Sequence, residues 1–204
     1  RLVNFLDFLT AETLTLTVPL LVLMRILTAE KGVNKISIGY TVSCAFSWGI
    51  GYIGTWVFKW LISMAVLKEN VMPFITDHIA ERIGGEISGI AVSKADLFFG
   101  AIGRNITNLF PIGYGAPGIV GTVLIVIALF YLAFVYKKKK IDAGNMILFA
   151  AIGLVPYLRY LVLHNHSYIH YFFTCRAQMA TVMAVIFIIS GMTDHSRFKI
   201  KSKK

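Results

Sequence analysis

Between positions 36 and 67 the chain runs for 32 residues with Lys59 as its single formal charge. At about 1.5 Å of rise per residue, a helix of that length exceeds the roughly 30 Å of hydrocarbon in a bilayer. Four further apolar runs, at 8–27, 118–136, 146–163 and 168–192, are long enough to do the same. With 57% of its residues apolar and only 15% charged, the chain lacks the polar surface to cover a soluble domain. The expectation is an all-α polytopic membrane helix bundle with about five transmembrane helices.

The formal charge of +10 raises the question of nucleic acid, and its placement answers against it. Five crossings put 24–35, 137–145 and 193–204 on one side. Those segments hold twelve Lys and Arg against Glu30, Asp142 and Asp194, a balance of +9. The other side, Lys59 included, holds eight cations against seven anions, or +1. Basic loops stay in the cytoplasm, so the C-terminus is expected there and the histidine-rich "LHNHSYIHYFFTCR" on the outer face. The run Lys137 to Lys140 reads as a stop-transfer anchor, with an anionic-lipid site as the alternative. Cys44 and Cys175 lie in segments with no reason to meet, so no disulfide framework follows. The chain opens on Arg1 with no signal-peptide pattern, and is expected to be a single membrane domain, 1–204, closing a longer protein.

The first run carries Asp7 and Glu12 near its outer end and Pro19 inside, so it is polar at the start and free to kink. The two carboxylates either begin an interfacial helix or line an outer cavity. Thr10, Thr13, Thr15 and Thr17 can bond back to preceding carbonyls. In the second run, "FSWGIGYIGTWVFKW", Gly49, Gly51 and Gly54 predict a close helix contact. Tyr52, Trp48, Trp56 and Lys59 recur at helical spacing and predict an aromatic face with one ammonium, which either snorkels to headgroups or binds an anion. The segment 68–117 is too polar to span and too apolar to float, and reads as one or two amphipathic helices at the outer interface. Ser93 with Asp96 resembles a capping box, ahead of Leu97, Phe98, Ala101, Ile102 and Ile106 on one face. "FPIGYGAPG" breaks the chain before the third long run. "NIT" at Asn105 and "NHS" at Asn165 fit the glycosylation sequon.

In the histidine-rich stretch, His166, His170, Thr174 and Gln178 follow the i, i+4 spacing, with Arg159 seven residues before His166 and Arg176 about a quarter-turn away. An arginine roughly 13 Å into a span costs at least about 2.5 kcal/mol on insertion scales, so Arg176 is expected to face protein or a wet cavity. The His-x-x-x-His pair lacks an acidic third ligand and the intervening Glu of a zinc protease helix, so no metal and no cofactor are expected. Two readings stay open: an interfacial belt of aromatics and histidines, or an anion site in which Lys59, Arg159, His166, His170, Arg176 and Gln178 bind a lipid phosphate.

"DFLT…PL", "GYIGTWVFKW" and "NHSYIHYFFTCR" resemble the closing part of bacterial multi-pass membrane proteins of cell-surface glycan loci, similar to the GT-C class of lipid-linked-sugar glycosyltransferases. The resemblance covers most of the chain in order. It implies sugar transfer at the outer face of the bacterial plasma membrane, from a polyprenyl-phosphate-linked sugar to a glycan acceptor, during cell-envelope polysaccharide assembly. Such enzymes keep a catalytic carboxylate in the first outer loop, and the resemblance implies that this chain begins after that loop; Asp7 and Glu12 are only substitutes for it. Arg176, His170, His166 and Lys59 would neutralise the departing donor phosphate. A transporter or flippase segment binding an anionic substrate in an outer cationic cavity is the alternative, and a packing subunit is the third.

Overall fold

A computed structural model of the chain describes residues 12–30, 38–83, 92–108, 115–138, 142–194 and 196. Its elements are helices in the order α1 (Leu14–Glu30), α2 (Ile38–Leu67), α3 (Met72–Ile83), α4 (Lys94–Ile106), α5 (Ala116–Val135), α6 (Ala143–Gly153), α7 (Val155–Val162), α8 (His164–Ile169), α9 (Tyr171–Thr174), a 3₁₀ turn (Cys175–Gln178) and α10 (Met179–Met192). Four stretches are long and apolar enough to cross a membrane: Ile38–Leu67, Ala116–Val135, Ala143–Val162 and Tyr171–Met192. The chain is thus an all-α integral membrane bundle. A shorter apolar helix, Leu14–Ala29, stands where the sequence predicts the first crossing.

The core is built by α1, α6 and α10. Leu20, Leu21 and Met24 pack with Leu148, Phe149 and Ile152 and with Ala180 and Ala184. Lipid is as apolar as these side chains, so close fit and interhelical hydrogen bonds hold such helices together more than water exclusion does. A close fit within this core is at Gly153, where an added Cβ would lie 2.8 Å from the Ala184 Cβ. Beside it the Thr181 hydroxyl donates to the Gly153 carbonyl at 2.7 Å. Among the described residues the contact expected at Gly49, Gly51 and Gly54 does not form, since a Cβ at any of them would meet nothing within 4 Å. Instead α2 is held to α1 by the Trp48 Nε1–H, which donates to Thr15 Oγ1 at 2.8 Å. Thr15 and Thr17 hydroxyls return their own protons to the Glu12 and Thr13 carbonyls, as the threonine spacing predicts.

The two ends of the bundle differ in chemistry. At one, Lys138 N–H donates to the Met192 carbonyl, Asp194 N–H to the Tyr136 carbonyl, and the Arg25 guanidinium to Ser190 Oγ at 3.4 Å. These contacts gather Arg25, Lys137, Lys138 and Asp194, the grouping expected of a basic side. The other end carries Glu12, Arg159 and the amphipathic helices α3 and α4. Ser93 caps α4, its Oγ accepting from the Asp96 N–H and donating to the Asp96 carboxylate at 2.7 Å. The buried stripe of α4 is Leu97, Ala101 and Asn105, rather than the wholly apolar one expected of Leu97, Phe98, Ala101, Ile102 and Ile106. An asparagine closes its C-terminal end because it bonds across the interface.

Candidate functional site

Where periodicity predicts one helix from position 168, the backbone breaks repeatedly. Leu163 (φ −105°, ψ 49°) separates α7 from α8, and His170 (φ −103°, ψ 30°) separates α8 from α9. The 3₁₀ turn Cys175–Gln178 follows before α10 begins. A 3₁₀ turn advances about 120° per residue against about 100° in an α-helix, so the i, i+4 stripe does not survive intact. His166, Thr174 and Gln178 are buried and His170 is half-buried. Arg176 turns outward and is exposed, between Phe172 and Met179, themselves 64% and 56% exposed. It does not join the polar stripe, so of the two expected surroundings, protein or a wet cavity, the first does not hold.

The inward groups form a network centred on Asn105. Its Nδ2 donates to the Ala101 carbonyl at 2.7 Å and to the Ser167 carbonyl at 3.0 Å. Its Oδ1 accepts from the Thr174 hydroxyl at 2.7 Å, and its backbone carbonyl accepts from Gln178 Nε2 at 2.6 Å. The Tyr157 hydroxyl donates to Gln178 Oε1 at 3.3 Å, and the Tyr160 hydroxyl donates to the Thr174 carbonyl at 2.9 Å. The network repairs carbonyls that the helix breaks release, the condition for irregular backbone at membrane depth. Both sequon asparagines are consumed this way. Asn165 is buried and donates to the Glu81 carbonyl at 2.9 Å, which fastens α3 to α8. Neither side chain is open to a glycan in the folded chain.

Arg159, Glu12 and Ser167 make a second buried cluster. Glu12 pairs with the Arg159 Nε through one carboxylate oxygen and with Nη2 at 3.3 Å through the other. Arg159 Nη1 also lies 3.4 Å from Ser167 Oγ. With both oxygens on the guanidinium, Glu12 is an ion-pair partner and a poor general base. Asp7, the other candidate, lies outside the described residues. His170 stacks on Phe173 with ring centres 5.0 Å apart and sits 4.8 Å from the His166 ring. Burial, and then the charge of Arg82, push its pKa below the ordinary histidine range. It stands neutral at pH 7 and offers one donor and one acceptor.

Beside this corner α2 and α3 splay apart instead of packing. α2 ends at Lys68, whose φ of 54° turns the chain back toward α3. Between them lies a groove of about 480 Å³. Tyr52, Ile53, Trp56 and Trp60 form one wall, and Phe74, Ile75, His78, Ile79 and Arg82 the other. Each wall covers eight residue steps, roughly 12 Å. The volume falls within the ~300–1,000 Å³ usual for ligand sites. Lys59 is half-buried on α2, its ammonium 5.0 Å from the Trp56 ring centre. Arg82 and His78 are the groove-lining residues that sequence periodicity does not single out. Their signal was present in the strong one-sided patterning of α3, but only the fold sets that face opposite the tryptophans.

The bundle and its groove define the class as a helical membrane protein with an aromatic, cation-edged lateral site. No family model, curated protein or solved structure matches the chain.

Proposed function

We propose that the chain is part of a membrane glycosyltransferase, which moves a sugar from a polyprenyl-phosphate-linked donor to a glycan acceptor in cell-envelope assembly. The observation that carries this reading is the groove. An aromatic cleft open along the side of a membrane bundle suits a long hydrocarbon chain, and Arg82 at its edge suits the phosphate that such a chain bears. The groove abuts the stretch "NHSYIHYFFTCR", one of the three that carry the resemblance to GT-C enzymes.

In that reaction the acceptor oxygen forms a bond to the anomeric carbon as the bond to the donor phosphate breaks. The phosphate leaves with the electron pair and the acceptor proton passes to a base. Arg82, His170 and Lys59 are the groups of this chain suited to the leaving phosphate; in this proposal they stabilise charge that develops only as the bond breaks. Arg159 and Gln178 act by positioning, because their donors are engaged by Glu12 and Asn105. The test is transfer of radiolabelled sugar from the co-purifying lipid, with the parent protein in mild detergent. Arg82→Ala is expected to lower transfer at least about tenfold with the protein still folded; unchanged transfer would sink the reading.

The broken sequence of α8, α9, the 3₁₀ turn and α10 favours one second reading, a flippase or transporter segment, since carriers place interrupted helices at their substrate sites. It predicts lipid movement across vesicles with no sugar transfer.

A further inference from the structure

We infer that the α2/α3 groove takes a single-chain lipid with an acidic headgroup, and that His78, Glu81 and Arg82 form a charge switch at its edge which tightens this binding as the pH falls. This rests on the reading of the groove as a lipid site, and adds to it a selectivity and a regulation.

The geometry sets three groups on one end of one helix. His78 and Arg82 both line the groove and stand one turn apart on α3. Glu81 lies outside the lining, yet its carboxylate reaches 3.4 Å from His78 Nδ1. The His78 ring is held by Phe74, edge to face, with centres 4.2 Å apart. Backbone attachment fixes the same end, through the bond from Asn165 to the Glu81 carbonyl. The groups therefore have a defined place relative to whatever fills the groove.

Charge decides the rest. With His78 protonated, His78, Glu81 and Arg82 sum to +1 at the edge. With His78 neutral they sum to zero, because Glu81 then offsets Arg82. Histidine is the side chain that serves as a charge switch near neutral pH, and a proton on His78 puts one positive charge beside the guanidinium. The other charged or titratable groups nearby act differently. Asp77 is exposed and does not line the groove. Across the groove, α2 offers the Tyr52 phenol, and the Lys59 ammonium over Trp56. From the histidine-rich segment, His170 is pushed down in pKa by burial and by Arg82 itself, so it follows rather than leads. An amphiphile fits the walls, which are aromatic and aliphatic apart from the His78 and Arg82 edge. An anionic headgroup fits that edge.

The walls also supply the measurement. Trp56 and Trp60 line the groove, while the third tryptophan, Trp48, is bonded to Thr15. Bromine on an acyl chain quenches tryptophan only on close approach, so brominated probes report occupancy. The chain in neutral detergent is titrated with a brominated alkyl sulfate and with its uncharged alcohol. Sulfate is used because its charge is constant from pH 5 to 8, whereas a phosphate monoester ionises again near pH 6. The sulfate is expected to bind about tenfold tighter than the alcohol at pH 5.5, and less than about threefold tighter at pH 8. Arg82→Gln should abolish the preference and Arg82→Lys retain most of it. His78→Gln should leave the preference small and flat with pH, while Glu81→Gln should raise it at pH 8. Quenching by the alcohol verifies that each variant keeps its groove.

Equal affinities for sulfate and alcohol, or an undiminished pH slope in His78→Gln, overturn the inference. Polyprenyl phosphate is then added as a competitor. Competition supports the donor reading. Displacement by a fatty acid but not by polyprenyl phosphate would defeat the donor reading and leave the acidic-lipid switch standing.

Discussion

Glu12 and Arg159 are 147 positions apart, and their side chains are 6% and 3% exposed. Taking two charges out of water costs several kcal/mol apiece, and only the pairing offsets it. The pair also ties the start of α1 to the last turn of α7, which makes it a fastening between the first and fourth apolar stretches. Glu12→Ala alone should destabilise the chain by about 3–5 kcal/mol, because it strands a buried guanidinium. The double change Glu12→Leu with Arg159→Met should recover much of that loss in thermal unfolding within one detergent. An additive double variant would mean that the pair does not couple. The same arithmetic explains Arg176. With no carboxylate beside it among the described residues, the guanidinium faces outward, where a long side chain can seek headgroups.

Helices meet where side chains let backbones approach, and sequence motifs name more such places than the fold uses. Gly49, Gly51 and Gly54 look like a contact face, yet meet none of the described residues, while Gly153 takes a close approach between α6 and α10. Gly153→Ala should drive α6 from α10 and lower stability by about 1–3 kcal/mol, with Ala184→Gly restoring part of it. Gly49→Ala should be neutral, or stabilise by up to about 1 kcal/mol through helix propensity. Thermal unfolding of the three variants in the same micelle measures both; equal losses at Gly49 and Gly153 would refute the packing. Gly100 works likewise between elements, since a Cβ there would lie 2.7 Å from Tyr168. Across that gap Arg104 stacks on the Tyr168 ring at 3.7 Å and donates to its hydroxyl at 2.8 Å.

At the scale of the molecule, a lysine-bearing end and an end of amphipathic helices stand apart, joined by apolar stretches. The imbalance of basic residues predicts an orientation, with the lysine end expected on the cytoplasmic side. Impermeant maleimide on intact cells, with Cys44 and Cys175 changed to Ser, checks it. Ser93→Cys should label and Lys138→Cys should label only after permeabilisation; the reverse pattern would invert the topology.

The sequence alone determined that the chain is a helical membrane bundle, roughly where its apolar stretches lie, and that its cations gather toward one end. Those properties are local and additive: each backbone group in lipid must bond within its own helix, and hydropathy sums along a run. The Ser93 cap and the polar helices of 68–117 were legible for the same reason. Only the tertiary structure decided which polar groups meet. It paired Glu12 with Arg159, spent Asn105 and Asn165 on stitching helices, turned Arg176 outward, and opened a groove that sets Arg82 and His78 against two tryptophans. The physical reason is that periodicity ranks faces of a single helix. Pairing depends on distances between helices, and those are fixed by where the backbone breaks at Leu163, His170 and Cys175–Gln178.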